Sequence, residues 1–154
     1  KMDQKNAAAY NRLGILYAKQ KEYKDAIDCF EIASSIEPTA SSLHNLGLIY
    51  LETENYHKAA AAFEQALKLE DNLAARHIAY AKVNEKLGND KIVLAELERA
   101  VELEPNKESY MLLHKAYDSR GMNEQADDIA HKLQTLITPS GHPKRIMRPK
   151  RVVV

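Results

Sequence analysis

Apolar residues in this chain recur at the three- and four-residue spacing of amphipathic helices. The stripe formed by Ala26, Phe30, Ala33 and Ile36 is a clear case, since residues with this spacing lie on one face of a helix. No segment alternates between apolar and polar residues with a period of two, so no β-sheet is expected. The pattern therefore predicts an all-α protein.

Turn residues divide the pattern into eight helices. Gly88 and Gly121 each lie where one helix stops and the next begins. Pro38 and Pro105 end helices, because proline cannot continue a helix interior. The predicted helices span residues 4–20, 23–36, 40–53, 56–69, 73–87, 90–103, 107–120 and 123–137.

The same pattern returns along the chain with a period close to 33 residues. The segment from Tyr10 to Pro38 aligns with the segment from Leu43 to Asp71 at a constant offset of 33. A third copy follows at an offset of 34, and a weaker fourth copy comes after it. Because a single helix pair cannot bury its apolar face alone, neighbouring pairs are expected to stack. The identical pairs of the first two copies are Gly14 and Gly47, Tyr17 and Tyr50, Tyr23 and Tyr56, Ala26 and Ala59, Phe30 and Phe63, and Ala33 and Ala66.

These residues resemble the tetratricopeptide repeat (TPR) family, and the resemblance spans roughly residues 4–137. The third copy departs from the family pattern at His77, Asn84 and Val93, and the fourth has His114 where a small residue is usual. The first copy supplies Tyr10, Leu13, Gly14, Tyr17, Ala26, Phe30, Ala33 and Pro38, and the second supplies Leu43, Leu46, Gly47, Tyr50, Ala59, Phe63 and Ala66.

The resemblance implies a right-handed superhelical solenoid of antiparallel helix pairs over residues 4–138. Small residues at Gly14, Gly47 and Ala81 would let paired helices approach closely. Phe30 and Phe63 would fill the space between neighbouring pairs. The four repeats would occupy approximately residues 7–39, 40–73, 74–106 and 107–138, followed by a separate C-terminal segment of residues 139–154.

Charge and cysteine content narrow the classes of function. Formal net charge is 0, and Cys29 is the single cysteine, which excludes an intramolecular disulfide and a cysteine-based zinc site. The lone cysteine and the lack of a signal or transmembrane pattern slightly favour a cytoplasmic location. The chain begins at Lys1 without an initiator methionine, which is compatible with a piece of a longer protein. The segment 139–154 contains no acidic residue and five basic ones, Lys144, Arg145, Arg148, Lys150 and Arg151.

No motif in the sequence predicts catalysis. The six histidines include no pair three or four residues apart and match no metal-binding motif. Cys29 lies next to Asp28 and has no basic neighbour that would lower its pKa, so a structural thiol is expected. We therefore expect no enzyme activity, no cofactor and no metal site.

The resemblance also implies a binding surface. In the family, the first helices of the pairs line a concave groove that holds an extended peptide or a partner helix. A subtype grips the C-terminal carboxylate of a chaperone with two lysines, an arginine and two asparagines; only Asn45 matches, so a chaperone tail is disfavoured. Transferred to this chain, the groove residues are Asn11, Ile15, His44, Asn45, Leu48, Ile78, Lys82, Met111 and Lys115.

The sequence favours a non-catalytic protein-interaction scaffold, with two alternatives. One is an accessory module of a larger enzyme or membrane-associated assembly. The other is a basic arm, residues 139–154, that binds nucleic acid, anionic lipid or an acidic protein. The arm has no aromatic residue on which a base could stack, which argues against nucleic acid. The same segment is otherwise solvated, or docked in its own groove or that of a neighbouring copy.

Overall fold

The computed structural model describes residues 4–137, and every regular element among them is an α-helix. All eight predicted helices are confirmed, with bounds within one residue of those expected. The basic segment 139–154 lies outside the described residues. The helices are α1 (Gln4–Lys19), α2 (Tyr23–Ile36), α3 (Ala40–Glu52), α4 (Tyr56–Leu69), α5 (Ala74–Leu87), α6 (Asp90–Leu103), α7 (Lys107–Ser119) and α8 (Asn123–Ile137).

The helices pack in the order in which they occur in the sequence. Each odd-numbered helix pairs with the helix that follows it, which gives the pairs α1–α2, α3–α4, α5–α6 and α7–α8. Neighbouring pairs are joined through α2–α3, α4–α5 and α6–α7. Contacts that connect only neighbouring units are the mark of a repeat solenoid. The predicted superhelical stack of helix pairs is therefore confirmed.

Within the first two pairs, the tightest contact joins a glycine to a phenylalanine. A β-carbon added to Gly14 would lie 2.7 Å from Cε1 of Phe30, and one added to Gly47 would lie 2.6 Å from Cε1 of Phe63. Carbon atoms attract best at about 3.5–4.0 Å, so both positions admit only glycine while the rings stay where they are. Both rings are buried, with 1% and 0% of their surface exposed.

The position of the rings refines the expectation from the sequence. Phe30 and Phe63 were expected between neighbouring pairs, whereas each ring lies against the glycine of its own pair. Phe30 also belongs to the apolar cluster that contains Leu46 and Ile49 of the next pair. One side chain therefore sets the spacing within a pair and contributes to the contact between pairs.

Tyrosine–glutamate hydrogen bonds connect successive repeats. The hydroxyl of Tyr50 donates to Oε2 of Glu31 over 2.6 Å, and Tyr117 makes the same bond to Glu98. Burial and then the bond to the carboxylate raise the pKa of each tyrosine to about 12. These groups are therefore neutral donors at physiological pH.

The third repeat replaces this link with a local one. Asn84 occupies the tyrosine position and is buried; its amide donates to the carbonyl of Tyr80 over 2.8 Å. Its side-chain oxygen accepts from the Asn89 amide, also over 2.8 Å. Asn84 thus stabilises the turn that ends α5, and the departure from tyrosine leaves no buried polar atom of this side chain unpaired.

His77, the other departure in the third repeat, is also buried in a polar network. Its Nδ1 lies 2.9 Å from Oε2 of Glu96 and its Nε2 lies 2.8 Å from the carbonyl oxygen of Asp71. The adjacent Arg76 is 5% exposed and donates from Nη1 to Glu70 over 2.6 Å. A polar network therefore surrounds this position of the third repeat, whereas the second repeat has the buried, apolar Leu43 there.

The turn inside every pair contains one residue with positive φ. Gly88 has φ of 77° and Gly121 of 70°, which confirms that the predicted glycine turns end their helices. The corresponding residues of the first two repeats are Lys21 and Glu54, each with φ of 63°. A left-handed backbone costs a residue with a β-carbon roughly 1–2 kcal/mol, so these two turns are strained.

We predict that Gly47→Ala destabilises the fold although alanine is the better helix former. The helix preference contributes about 1 kcal/mol in favour of alanine, whereas overpacking a core costs about 1–3 kcal/mol. Chemical denaturation of Gly47→Ala, Phe63→Leu and the double variant measures the coupling. Because leucine is smaller than phenylalanine, Phe63→Leu should cost less in the Gly47→Ala background than in the wild type. A gain of the full helix preference by Gly47→Ala would show that the ring can move aside.

We also predict that Glu54→Gly stabilises the protein, because glycine accepts the left-handed turn without strain. The expected gain is about 0.5–1 kcal/mol in the free energy of unfolding, after the larger backbone entropy of glycine is deducted. Glu54→Gln is the matched control, since it removes the charge and keeps the β-carbon. Equal stability of the two variants would assign the effect to charge rather than to backbone conformation.

Candidate functional site

The first helices of the pairs form one continuous face of the protein. α1 contacts α3 and α3 contacts α5, although these helices are not neighbours in sequence. We call the surface made by α1, α3, α5 and α7 the first-helix groove. Three depressions follow one another along it, and neighbouring depressions share lining residues.

The N-terminal depression lies between α1 and α3 and has a volume of about 230 Å³. Its wall is mainly apolar and includes Ile15, Ala18, Leu48 and Ile49. Asn45 also lines it and donates to Oδ1 of Asn11 over 3.4 Å. The two predicted asparagines therefore interact with each other across the repeats, and the bond is long enough to be exchanged easily.

The central depression spans α3, α5 and the start of α7 and has a volume of about 320 Å³. His44, Leu48 and Ile78 line it, together with Lys82. Glu104 contributes from the loop before α7. Leu48 belongs to both this depression and the N-terminal one, so the two are continuous.

The C-terminal depression lies between α5, α6 and α7 and has a volume of about 450 Å³. Ile78 and Lys82 connect it to the central depression. Lys115 and Leu112 line it from α7, and Glu85 lines it from α5. Charged side chains are therefore more frequent in the central and C-terminal depressions than in the N-terminal one.

The groove changes in character along the stack because equivalent repeat positions hold different residues. Ile15, Leu48, Lys82 and Lys115 occupy one repeat position, at successive offsets of 33, 34 and 33. This row is apolar in the first two repeats and basic in the last two. A neighbouring row changes from apolar to acidic, in the order Ala18, Leu51, Glu85 and Asp118. The groove thus has an apolar half and a charged half.

Lys82 and Lys115 are the cations available in the charged half. Neither takes part in an ion pair within the part of the chain that the structure describes. Glu85, by contrast, accepts from Arg120 over 2.9 Å, and Arg120 also pairs with Asp90 over 2.8 Å. A carboxylate from a bound molecule would therefore meet Lys82 without displacing an existing partner.

His44 contributes a neutral imidazole to the central depression. Burial and, second, the positive charge of Arg76 lower its pKa. The ring lies 5.5 Å from the ring of Phe63, measured between centroids. Its buried Nδ1 has no hydrogen-bond partner among residues 4–137. His44 therefore couples the groove surface to the core contact of the second repeat.

The structure brings seven of the nine predicted groove residues to the depressions. Asn11 does not line a depression itself but accepts a hydrogen bond from Asn45, which does, and Met111, half exposed on α7, lines none of the three depressions. Leu51 and Leu112 line depressions and were not predicted. The repeat offset could have found them, because Leu51 corresponds to Ala18 and Leu112 to Asn45.

Other kinds of site are not evident in the described residues. No cluster of three potential metal-binding side chains occurs within residues 4–137. No helix in that range combines the length and the apolar character that a membrane span requires. Cys29 is buried, and its pKa is raised by burial and by the nearby Asp25 and Asp28. A raised pKa makes a thiol unreactive, which agrees with the structural role that the sequence predicted.

Comparisons with known proteins agree with this architecture. The tetratricopeptide repeat family model matches residues 5–72. The solved structure of YrrB, described as a TPR protein with an unusual peptide-binding site, has a TM-score of 0.78 at 23% identity and covers 88% of this chain and 71% of its own. The first TPR domain of Spaghetti (RPAP3), bound to the HSP90 peptide SRMEEVD, has a TM-score of 0.74 at 23% identity, with coverage of 78% and 97%.

A third similar structure is that of MamA from Desulfovibrio magneticus RS-1, with a TM-score of 0.76 at 22% identity and coverage of 86% and 76%. A search of curated proteins by sequence found no match. The fold and the groove thus define a helical-repeat protein with a continuous surface along its stack. Residues 5–72, the first two repeats, thus match the tetratricopeptide repeat family, and the helix pairs that follow continue the fold of solved tetratricopeptide repeat proteins.

We predict that His44 makes the fold less stable in mild acid. Its pKa is lowered in the folded state, so the unfolded state binds the proton more readily and stability is lost as the pH falls through the ordinary histidine range. Denaturation midpoints measured from pH 7.5 to pH 5 should fall less steeply for His44→Gln than for the wild type. His57→Gln, at an exposed position of α4, is the control. Identical pH slopes for His44→Gln and the wild type would contradict the prediction.

Proposed function

We propose that this protein is a non-catalytic interaction scaffold that binds a segment of another protein in the first-helix groove. The observation that carries the proposal is the run of three connected depressions along α1, α3, α5 and α7. A groove of this length suits an extended peptide or one face of a helix better than a small molecule. Peptide-bound or peptide-binding relatives of the same fold support the choice.

The gradient along the groove describes the ligand. Ile15 and Leu48 offer apolar contacts in the first half, and the hydrophobic effect favours apolar ligand side chains there. Lys82 lines the central and C-terminal depressions, and Lys115 adds a second cation beyond it. The ligand that fits best therefore has apolar side chains at one end and a carboxylate at the other.

Other residues of the first helices argue against a chaperone tail that is gripped through its terminal carboxylate. The HSP90 peptide SRMEEVD binds a TPR domain of RPAP3, and the family's carboxylate-gripping subtype uses several basic residues. In this chain Ile15, Ala75 and Ala79 hold uncharged side chains at or near the positions concerned. Of the clamp asparagines, Asn45 is present and is bonded to Asn11.

We predict that reversing the charge of Lys82 changes which peptides the groove selects. Phage-displayed peptides selected on the immobilised wild-type protein should contain apolar residues next to Asp or Glu. Lys82→Glu should weaken their binding by roughly tenfold or more in calorimetric titrations, because like charges brought together are strongly unfavourable. Selection on the variant should enrich Lys or Arg instead.

Lys91→Glu is the matched control for charge, since Lys91 is exposed on the second helix of the same repeat. For the apolar half, Leu48→Asp should weaken binding while Leu69→Asp on α4 should not; both leucines are substantially exposed. Peptides that bind Lys82→Glu and Leu48→Asp as tightly as the wild type would remove the groove from the proposal. Equal losses with Lys91→Glu would indicate a general charge effect.

A further inference from the structure

The first helix of the stack leaves an apolar face uncovered. Tyr10, Leu13 and Leu16 on α1 are 36%, 40% and 55% exposed. The residues at the same repeat position on α3, 33 residues later, are Leu43, Leu46 and Ile49, which are 6%, 8% and 7% exposed. Helix α2 packs on α3 and accounts for the difference. The uncovered face of α1 could therefore pack against a further helix in the way that α3 packs against α2.

The repeat pattern also indicates which helix can pack on the uncovered face of α1. Within the described residues, α2, α4 and α6 each pack against the first helix of the next pair, whereas α8 has no following pair. Leu136 and Ile137 on α8 are 46% and 56% exposed. Leu136 occupies the repeat position of Ile36 on α2, which is half-buried, and of Leu69 on α4, which is 53% exposed. The two ends of the stack thus carry the two halves of the interface that joins its repeats.

The charges of the two end helices are complementary. α1 contains no acidic residue and presents Arg12 and Lys19, both exposed. α8 holds three acidic residues, Glu124, Asp127 and Asp128, against one lysine. Opposite charges on two surfaces favour their encounter and suppress the contact of either surface with itself.

We propose that α1 of one copy docks on α8 of a second copy, head to tail, and so repeats the interface between α2 and α3. In this arrangement Tyr17 takes the place of Tyr50, and its hydroxyl faces His131, which stands at the repeat position of Glu31. A neutral imidazole nitrogen can accept that hydrogen bond. Because the two surfaces differ, the contact leaves a free α1 and a free α8 at the ends, so chains or rings can form.

The experiment measures the mass of the 154-residue chain over a wide concentration range by sedimentation velocity and light scattering. The wild type should pass from monomer to species larger than a dimer as concentration rises. Leu16→Glu blocks the α1 face and Leu136→Glu blocks the α8 face, so each variant alone should stay monomeric. An equimolar mixture should form a 1:1 dimer, because each variant retains the face that the other has lost.

Controls separate this contact from misfolding and from other modes of association. Ile32→Glu, at an exposed position of α2, should associate like the wild type, and circular dichroism should show the same helix content for all variants. Arg12→Glu, which changes only an exposed charge, should weaken association by about tenfold or more. A monomer at every concentration overturns the proposal. So does a dimer of Leu136→Glu alone, which would show that α1 pairs with α1, or a mixture that remains monomeric.

Discussion

The contact between a glycine on one helix and a buried phenyl ring on its partner sets the spacing of the first two repeats. At Gly14 and Gly47 the ring lies so close that a β-carbon would overlap it. The same rings, Phe30 and Phe63, belong to the cluster that holds neighbouring pairs together. A larger residue at the glycine would therefore widen the pair and also move the surface on which the next pair stacks. This dependence makes the geometry of the groove a consequence of packing inside each repeat.

The four repeats hold different pairs of residues at these two positions. In the first two repeats a glycine on the first helix is matched by a phenylalanine on the second, as Gly14 with Phe30 and Gly47 with Phe63. In the third repeat Ala81 and Leu97 differ less in size. The fourth repeat reverses the sizes, with His114 on the first helix and Ala130 on the second. Ala130 is exposed, whereas Phe30, Phe63 and Leu97 are buried, so the fourth pair has no counterpart of the buried large side chain. The weak match of the fourth repeat to the family pattern reflects this difference.

The sequence predicted the helices and their order because these follow from local spacing and from a constant repeat offset. It did not predict the bonds of Tyr50 to Glu31 and of Tyr117 to Glu98, since each partner lies on another helix 19 residues away. The shared separation was a usable signal. His77 and Glu96 are also 19 residues apart, but they belong to the two helices of one pair, and their contact occurs in one repeat alone, so no repeated signal announced it. Residues of the groove were predicted through the resemblance to the family, whereas the rows that change character along the groove emerged when the repeats were superposed.

Core-facing positions and groove positions of a repeat are under different constraints, which explains why this fold suits a binding protein. Positions that face the core hold Gly, Ala and Phe in the first two repeats because packing leaves little choice. Positions on the first-helix groove touch solvent, so the same repeat position can hold Ile15, Leu48, Lys82 or Lys115 at small cost to stability. For the extended ligand proposed above, four equivalent positions at regular spacing would provide four separate contacts. The residues that set stability would then differ from those that set specificity, and the order of side chains along the groove would fix the direction of the bound ligand.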